Sequence, residues 1–305
     1  MWRLRRGSGP YHGPVRSWRD VDDLFSIARP GVAALSFVVA VIGAWWPGLP
    51  AWTVLVLVVA GVALLVWSWW PRRRAVSPPP AAGVAAVRVL AANCWYKNRR
   101  MRGFAASIVS HVPDVVVVSE LSHEVHDVLS GAFEHHEVLT IGGPRGHGVY
   151  SHFPLERLPD PAGPGEVLHV RVHGPFRFQL LAAHMPRAVV FASPSLGTAR
   201  LDTCRDGIAE LAELARREPH TVVAGDLNLT DRQIAYRWLT SGRLDAMRTG
   251  RPRTTFPGWP WYPVLAMRID HVVVPADWSV QGARVVKVRG SDHRGVIAEL
   301  RRPPE

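Results

Sequence analysis

Two stretches of this chain carry no charge. Gly31 to Trp46 and Ala51 to Trp70 are apolar throughout and are joined by Trp46-Pro-Gly-Leu-Pro50. A helix needs about 20 apolar residues to cross a hydrocarbon core of ~30 Å. The second run has that length, and the first has it if it reaches back to Leu24. After residue 84 the pattern becomes one of short apolar runs bounded by Gly, Pro, Asn and Asp. Strands are predicted over Ala85–Cys94, Asp114–Glu120, Gly148–His152, Val167–His173, Phe176–His184, Thr221–Gly225, Met267–Val274, Ser279–Val288 and Gly295–Arg301. Helical spacing appears in Arg102–His111 (Phe104, Ile108, Val109), in Thr198–Arg217 (Leu201, Ile208, Leu211, Leu214) and briefly near Gln233–Leu239. Many strands with few helices predict an α/β domain of two mixed sheets packed face to face, helices outside.

Charge sharpens the reading of the first third. Residues 1–84 hold nine arginines against Asp20, Asp22 and Asp23, a net +6 of the chain's +11. Tryptophans 45, 46, 52, 67, 69 and 70 gather at the ends of the apolar runs, as interfacial aromatic belts do. The chain therefore divides into a basic segment (1–30), two transmembrane helices (31–70), an Arg/Pro-rich linker (71–84) and a soluble domain (85–305). A buried hairpin of a soluble protein ranks behind this reading. A cleaved signal peptide ranks lower still, because a second run follows the first directly. Arginines flank both outer ends and none lies between the runs. The positive-inside rule then predicts a multi-pass protein of the cell membrane with its domain in the cytoplasm. An odd number of spans would place the domain outside. The proline-rich linker, about a dozen residues long, would let the domain stand about 40 Å from the last span. Cys94 and Cys204 fit neither a disulfide framework nor a zinc site and read as buried free thiols.

Several predicted strands end in the same few polar residues: Asn93, Glu120, His184, Asp226 with Asn228, Asp270 and Asp292-His293. Unpaired charges at the ends of core strands would be costly, so a shared edge is implied. Asp226 and Asn228, two apart on extended backbone, would project to one side and hold a water or a phosphate oxygen. Gly-Asp-x-Asn is also ordinary turn chemistry. Carboxylates with amides make a hard oxygen site suited to Mg²⁺ or Mn²⁺, and histidines beside them supply proton transfer.

Asn93, Glu120, Gly148-Val-Tyr-Ser-His-Phe-Pro154, Ala183-His184, Gly225-Asp-Leu-Asn228, Ile269-Asp-His271 and Ser291-Asp-His293 stand in an order that resembles the endonuclease/exonuclease/phosphatase superfamily. Thr255-Phe256-Pro257 resembles a further element of that family. The resemblance implies a DNase I-like four-layer α/β sandwich and divalent-metal phosphoester chemistry. Glu120 would be the main metal ligand, with Asn93 and Asp292 near the ion. Asp270 would support His293, Asp226 and Asn228 would place the attacking water, and His184 would stabilise charge on the phosphoryl group. The sequence departs from the family at Ser119, where Gln is usual before the metal glutamate, and at Trp95, where DNA-repair members carry an acid.

Anchor and domain together resemble membrane members of the superfamily associated with teicoplanin resistance. Membrane lipids and a phosphorylated amphiphile are the expected partners, with nucleic acid second. A catalytically silent scaffold is a third reading. Residues 85–305 carry only +5, mild for a nucleic-acid binder. His271 should face away from Asp270, and His135, His136, His147 and His152 read as structural. Arg187 reads either as a phosphate contact or as a solvated loop arginine.

Overall fold

The computed structural model describes residues 50–69, 75–81, 83–161, 163–187, 194–250, 253–258 and 266–304, with Asp23 and separate positions between 32 and 45. The basic segment and much of the first apolar run lie outside the described residues. The second run forms helix α1, Ala51–Trp69. Among the described residues no helix is long and apolar enough to cross a membrane. At 1.5 Å per residue α1 extends roughly 28 Å against a core of ~30 Å, and the expected pair of transmembrane helices is not found among the described residues.

The linker does not behave as a free spacer. Ala75 N donates to Arg248 O at 3.0 Å, and Val280 N donates to Ser77 Oγ at 2.7 Å. Arg301 Nη1 donates to Val84 O at 2.6 Å. The segment from Ala75 onward is laid along the domain, which corrects the expected 40 Å reach.

Six strands make a first sheet: β1 (Val87–Asn93), β2 (Val115–Ser119), β3 (His135–Thr140), β4 (His147–Ser151), β11 (Ser279–Val286) and β12 (Gly295–Arg301), in the order β11-β12-β1-β2-β4-β3. The second has β5 (Leu155–Arg157), β6 (Glu166–His173), β7 (Arg177–His184), β8 (Thr221–Asp226), β9 (Arg243–Asp245) and β10 (Asp270–Pro275), in the order β5-β6-β7-β8-β10-β9. Each sheet has one parallel pair, β1–β2 and β7–β8, at its centre.

The central strands are buried on both faces, which is why they read as continuous apolar runs. In β1, Val89 and Ala91 enter the core between the sheets, while Leu90 and Ala92 meet the helices outside. In β8 the split is Val222 and Ala224 against Val223. Helices α2 (Met101–Val109) and α3 (His123–Ala132) cover the first sheet through Phe104, Ile108, Val125 and Leu129. Helices α4 (Pro194–Arg217) and α5 (Ile234–Leu239) cover the second through Ile208, Leu211, Ala235 and Tyr236. The result is the expected four-layer α/β sandwich.

The sequence reading missed α3, β3, β5 and β9. Helix α3 is polar apart from two buried anchors, and starts where Ser122 Oγ accepts from Val125 N at 3.3 Å. β3 is an edge strand with no fully buried residue, so no face of it is marked by hydrophobicity. The strand expected at Met267 begins at Asp270, because Met267 instead bridges to Phe256.

Candidate active site

Strand register gathers the polar residues. In the second sheet Asp226 ends β8 and pairs across with His184 of β7 on one side and Asp270 of β10 on the other. Three functional side chains thus stand in one row. In the first sheet Asn93 ends β1 opposite Ser119, and Glu120 follows immediately. The loop before β12 is tied to this edge by Ser291, whose Oγ donates to Asn93 O at 2.7 Å and accepts from His293 N at 2.9 Å.

Asn93 bridges the two sheets. Its Nδ2 donates to Glu120 Oε1 at 3.1 Å and to Asp226 Oδ2 at 2.9 Å, while its Oδ1 accepts from Trp95 N at 2.7 Å. Glu120 Oε2 accepts from Tyr96 N at 2.8 Å. Glu120 sits at φ +55°, a left-handed conformation that costs a bulky residue about 1–3 kcal/mol. The surrounding bonds hold the carboxylate toward the site. Ser119 adds nothing to it, since its hydroxyl is buried with no partner among the described residues.

His293 lies between two carboxylates. Its Nδ1 is 3.0 Å from Asp270 Oδ2 and its Nε2 is 3.8 Å from Asp226 Oδ2. Thr255 Oγ1 accepts from Ile269 N and Asp270 N at 3.1 and 3.2 Å, fixing the start of β10. The Phe256 ring packs 4.9 Å from the His293 ring. Burial opposes a charge on His293, but Asp270 and Asp226 override it and raise its pKa to about 10. Burial also pushes Asp270 up, against the pull of His293. Burial lifts Asp292 to about 6, with His293 opposing the shift and Glu120 adding to it.

These groups suit a divalent cation. Asp226, Asp270 and His293 each offer a ligand atom within 4.8 Å of the others, a buried set compatible with metal binding. Asp270 Oδ1 is buried with no hydrogen-bond partner among the described residues. Glu120 and Asp292 form a second acidic pair, and the raised Asp292 marks a carboxylate that a cation would relieve.

One expectation changes. Asn228 does not lie on extended backbone beside Asp226. It sits at φ +46°, its N–H donates to Asp226 Oδ1 at 3.0 Å, and its Nδ2 donates to Met185 O at 2.8 Å. The tetrapeptide is a turn, with Asp226 both closing it and facing the site. Gly225 makes the turn possible at φ +140°, where a Cβ would lie 2.0 Å from Ala183 O. Arg187 is exposed and lines the cleft, so it stands where a phosphate contact would. The cleft has a volume of about 550 Å³ and is lined by Glu120, His184, Asp226, Asn228 and His293. His184 Nε2 is 3.9 Å from Asp226 Oδ2, and its Nδ1 has no partner among the described residues.

Of the histidines set aside, His271 and His152 lie away from the site, while His147 pairs opposite Ser119, next to Glu120. His271 turns to the far face of the sheet, with Nδ1 3.0 Å from Asp245 Oδ2 and Nε2 2.8 Å from Leu229 O. His152 pairs with Glu134 at 2.6 Å on the surface. His147 is fully buried, and desolvation lowers its pKa to about 4. Arg268, which donates to Asp245 Oδ2 at 2.5 Å beneath the site, was not singled out by the sequence reading. Its signal was an arginine inside a run, Met267–Val274, that should be core.

The fold has known counterparts. Humanised TDP2 of D. rerio matches with TM-score 0.55 at 15% identity, over 71% of this chain and 99% of that one. A 3'-5' exonuclease from Neisseria meningitidis matches with TM-score 0.53 at 19% identity, over 69% and 98%. An endonuclease/exonuclease/phosphatase from Beutenbergia cavernae matches with TM-score 0.51 at 20% identity, over 71% of each chain. No curated protein sequence matches. Residues 90–293 match the Endonuclease/Exonuclease/phosphatase family, which spans most of the sandwich and every strand end described above. On that match the chain belongs to the endonuclease/exonuclease/phosphatase family and is a hydrolase of phosphoester bonds.

Proposed function

We propose that this is a membrane-held, Mg²⁺-dependent phosphohydrolase acting on amphiphilic phosphates, pyrophosphates or phosphodiesters, with Mn²⁺ able to substitute. The observation that carries the chemistry is the meeting of Asn93, Glu120, Asp226, Asp270 and His293 across the two sheets. Glu120 and Asp292, with Asn93 between Glu120 and Asp226, would hold the ion. The bound cation would neutralise charge on the phosphoryl oxygens.

The residues divide the remaining work. Asp226 takes the proton of an attacking water as its oxygen bonds phosphorus and the ester oxygen leaves. Asn228 fixes the turn that aims Asp226. His293, kept cationic by Asp270, holds a non-bridging oxygen, and His184 stabilises charge developing on the opposite side.

The two uncharged runs support a setting in the cell membrane, with the catalytic domain cytoplasmic by the arginine pattern or outside if only one run inserts. That setting agrees with the resemblance to teicoplanin-resistance membrane proteins. Nuclease action is the second reading, favoured by the fold shared with a protein described as a 3'-5' exonuclease. A silent scaffold has no use for buried carboxylates gathered at one edge. The test is a panel in Mg²⁺ comparing lipid phosphates and pyrophosphates with plasmid, abasic and single-stranded DNA. Efficient turnover of DNA with none of any lipid phosphate would replace the lipid reading with the nuclease.

A further inference from the structure

Two buried polar residues at the site edge have no part in the reaction as proposed. Ser119 and His147 are partners in register, beside Asn93 in one row of the first sheet. They stand two residues along from Val117 and Val149, which face the core between the sheets, and so face it too. His184 is on the inner face of the second sheet, two residues beyond Ala182. Strands β2 and β4 both lie against β7, as Asn93 lies against Asp226.

Four polar atoms of this group have no hydrogen-bond partner among the described residues: Ser119 Oγ, both ring nitrogens of His147, and His184 Nδ1. His147 is fully buried. The carbonyls of Ala182 and Val118 lie near its ring, yet neither meets it in hydrogen-bond geometry. Burying such groups is costly unless another side chain or an internal water satisfies them. Desolvation, with His184 second, lowers the His147 pKa to about 4, so one ring nitrogen donates and the other accepts. The serine hydroxyl does both. With His184 Nδ1 they offer a water three partners, the usual number for a buried one.

We propose that Ser119 and His147 hold His184 Nδ1 through such a water, and so keep the His184 proton on Nε2. The water accepts from Ser119 or His147 and donates to Nδ1. A neutral ring that accepts at Nδ1 carries its hydrogen at Nε2. Nε2 is the nitrogen on the Asp226 side, 3.9 Å from Oδ2, where a phosphoryl oxygen would meet it. Ser119 and His147 are thus positioning residues that act through His184. This rests on the role proposed for His184 above and adds what sets its tautomer and angle.

Steady-state hydrolysis of bis(p-nitrophenyl) phosphate in Mg²⁺ by the full-length protein tests the assignment. His147→Leu should lower kcat about 10-fold or more, the scale on which outer partners of site histidines act. KM should change little, because the lost contact works in the transition state. The melting temperature should fall little, since Leu fills a buried position without needing a partner. His147→Gln, which keeps a donor and an acceptor, should recover much of kcat. In a His184→Ala background, His147→Leu should cost nothing further. Ser119→Ala, a smaller change, is measured in both backgrounds, so the outcome does not depend on whether the His147 variant folds. Parental kcat in both His147→Leu and Ser119→Ala, or equal losses with and without His184, overturns the proposal. A crystal structure of the full chain decides it independently. A water bonded to His184 Nδ1 and to Ser119 or His147 is expected; Nδ1 bonded directly to protein, or to nothing, overturns the proposal. That result stands even if the protein hydrolyses no phosphoester, an outcome that would sink the phosphohydrolase reading instead.

Discussion

His293 Nδ1 lies 3.0 Å from Asp270 Oδ2, and both side chains are all but sealed from solvent. The contact joins the loop before β12, on one sheet, to the first residue of β10 on the other. If the pair works as a unit, removing either partner disables both. We expect Asp270→Asn and His293→Ala each to cut turnover by about 10²-fold or more, and the double variant to be little worse than the poorer single one. Multiplicative losses in steady-state kinetics would mean that the two act independently.

Glu120→Gln preserves shape and, with a single acceptor oxygen, one of the two bonds from Asn93 and Tyr96, while removing a charge. The strained backbone at Glu120 is retained for the carboxylate's placement, so the fold should survive. Mg²⁺-supported hydrolysis should fall by about 10²–10³-fold, the range for losing one electrostatic contact to the transition state. EDTA should abolish activity of the unaltered protein and Mg²⁺ or Mn²⁺ restore it. Activity retained in EDTA would remove the metal from the mechanism.

Gly225→Ala tests the turn that carries Asp226. The new Cβ would lie 2.0 Å from Ala183 O, on a backbone at φ +140°. Neither β7 nor β8 can yield without breaking the parallel pair between them. We expect a loss of about 3 kcal/mol or more in urea unfolding, beyond the typical cost of a substitution. Gly131→Ala, in α3 with open space around it, should be neutral to stabilising.

Much of the site was legible because burial and polarity conflict there. A run such as Asp114–Glu120 predicts a core strand, and a carboxylate at its end needs an explanation that only a site provides. Register then did the rest, placing His184, Asp226 and Asp270 in one row. The turn at Asn228 was legible as the alternative for Gly-Asp-x-Asn, but its side-chain bond to the backbone of Met185, 43 residues away, leaves no local trace. Helix α3 and strand β3 were lost for the opposite reason: their half-buried faces carry too few apolar residues to mark a period. The docking of Ala75 and Ser77 was likewise invisible, because composition made 71–84 a spacer.

Beneath the site, Asp245 is fully buried between Arg268 and His271. Burial alone would raise its pKa, but Arg268 first and His271 second overcome this and hold it well below the usual carboxylate range. A depressed folded pKa contributes stability that is present above the unfolded value, near 4, and is lost only as pH falls through the folded one. The ion pair should therefore support the fold throughout the neutral and mildly acidic range. Arg268→Met leaves the carboxylate buried without its guanidinium, with Tyr236 Oη and Met247 N still donating to it at 2.8 and 3.0 Å, and breaking such a buried pair costs about 3–5 kcal/mol. The sign of the pH dependence should then reverse. With Arg268 gone, burial raises Asp245, so the variant gains stability as pH falls and the carboxylate takes up a proton. Thermal unfolding from pH 8 to pH 5 should show the gap between variant and parent narrowing toward acid. Because His271 also holds Leu229 O, in the turn that follows Asp226, the variant should lose turnover before it loses fold. A gap that is constant across this range would mean that Asp245 is not the group left unpaired.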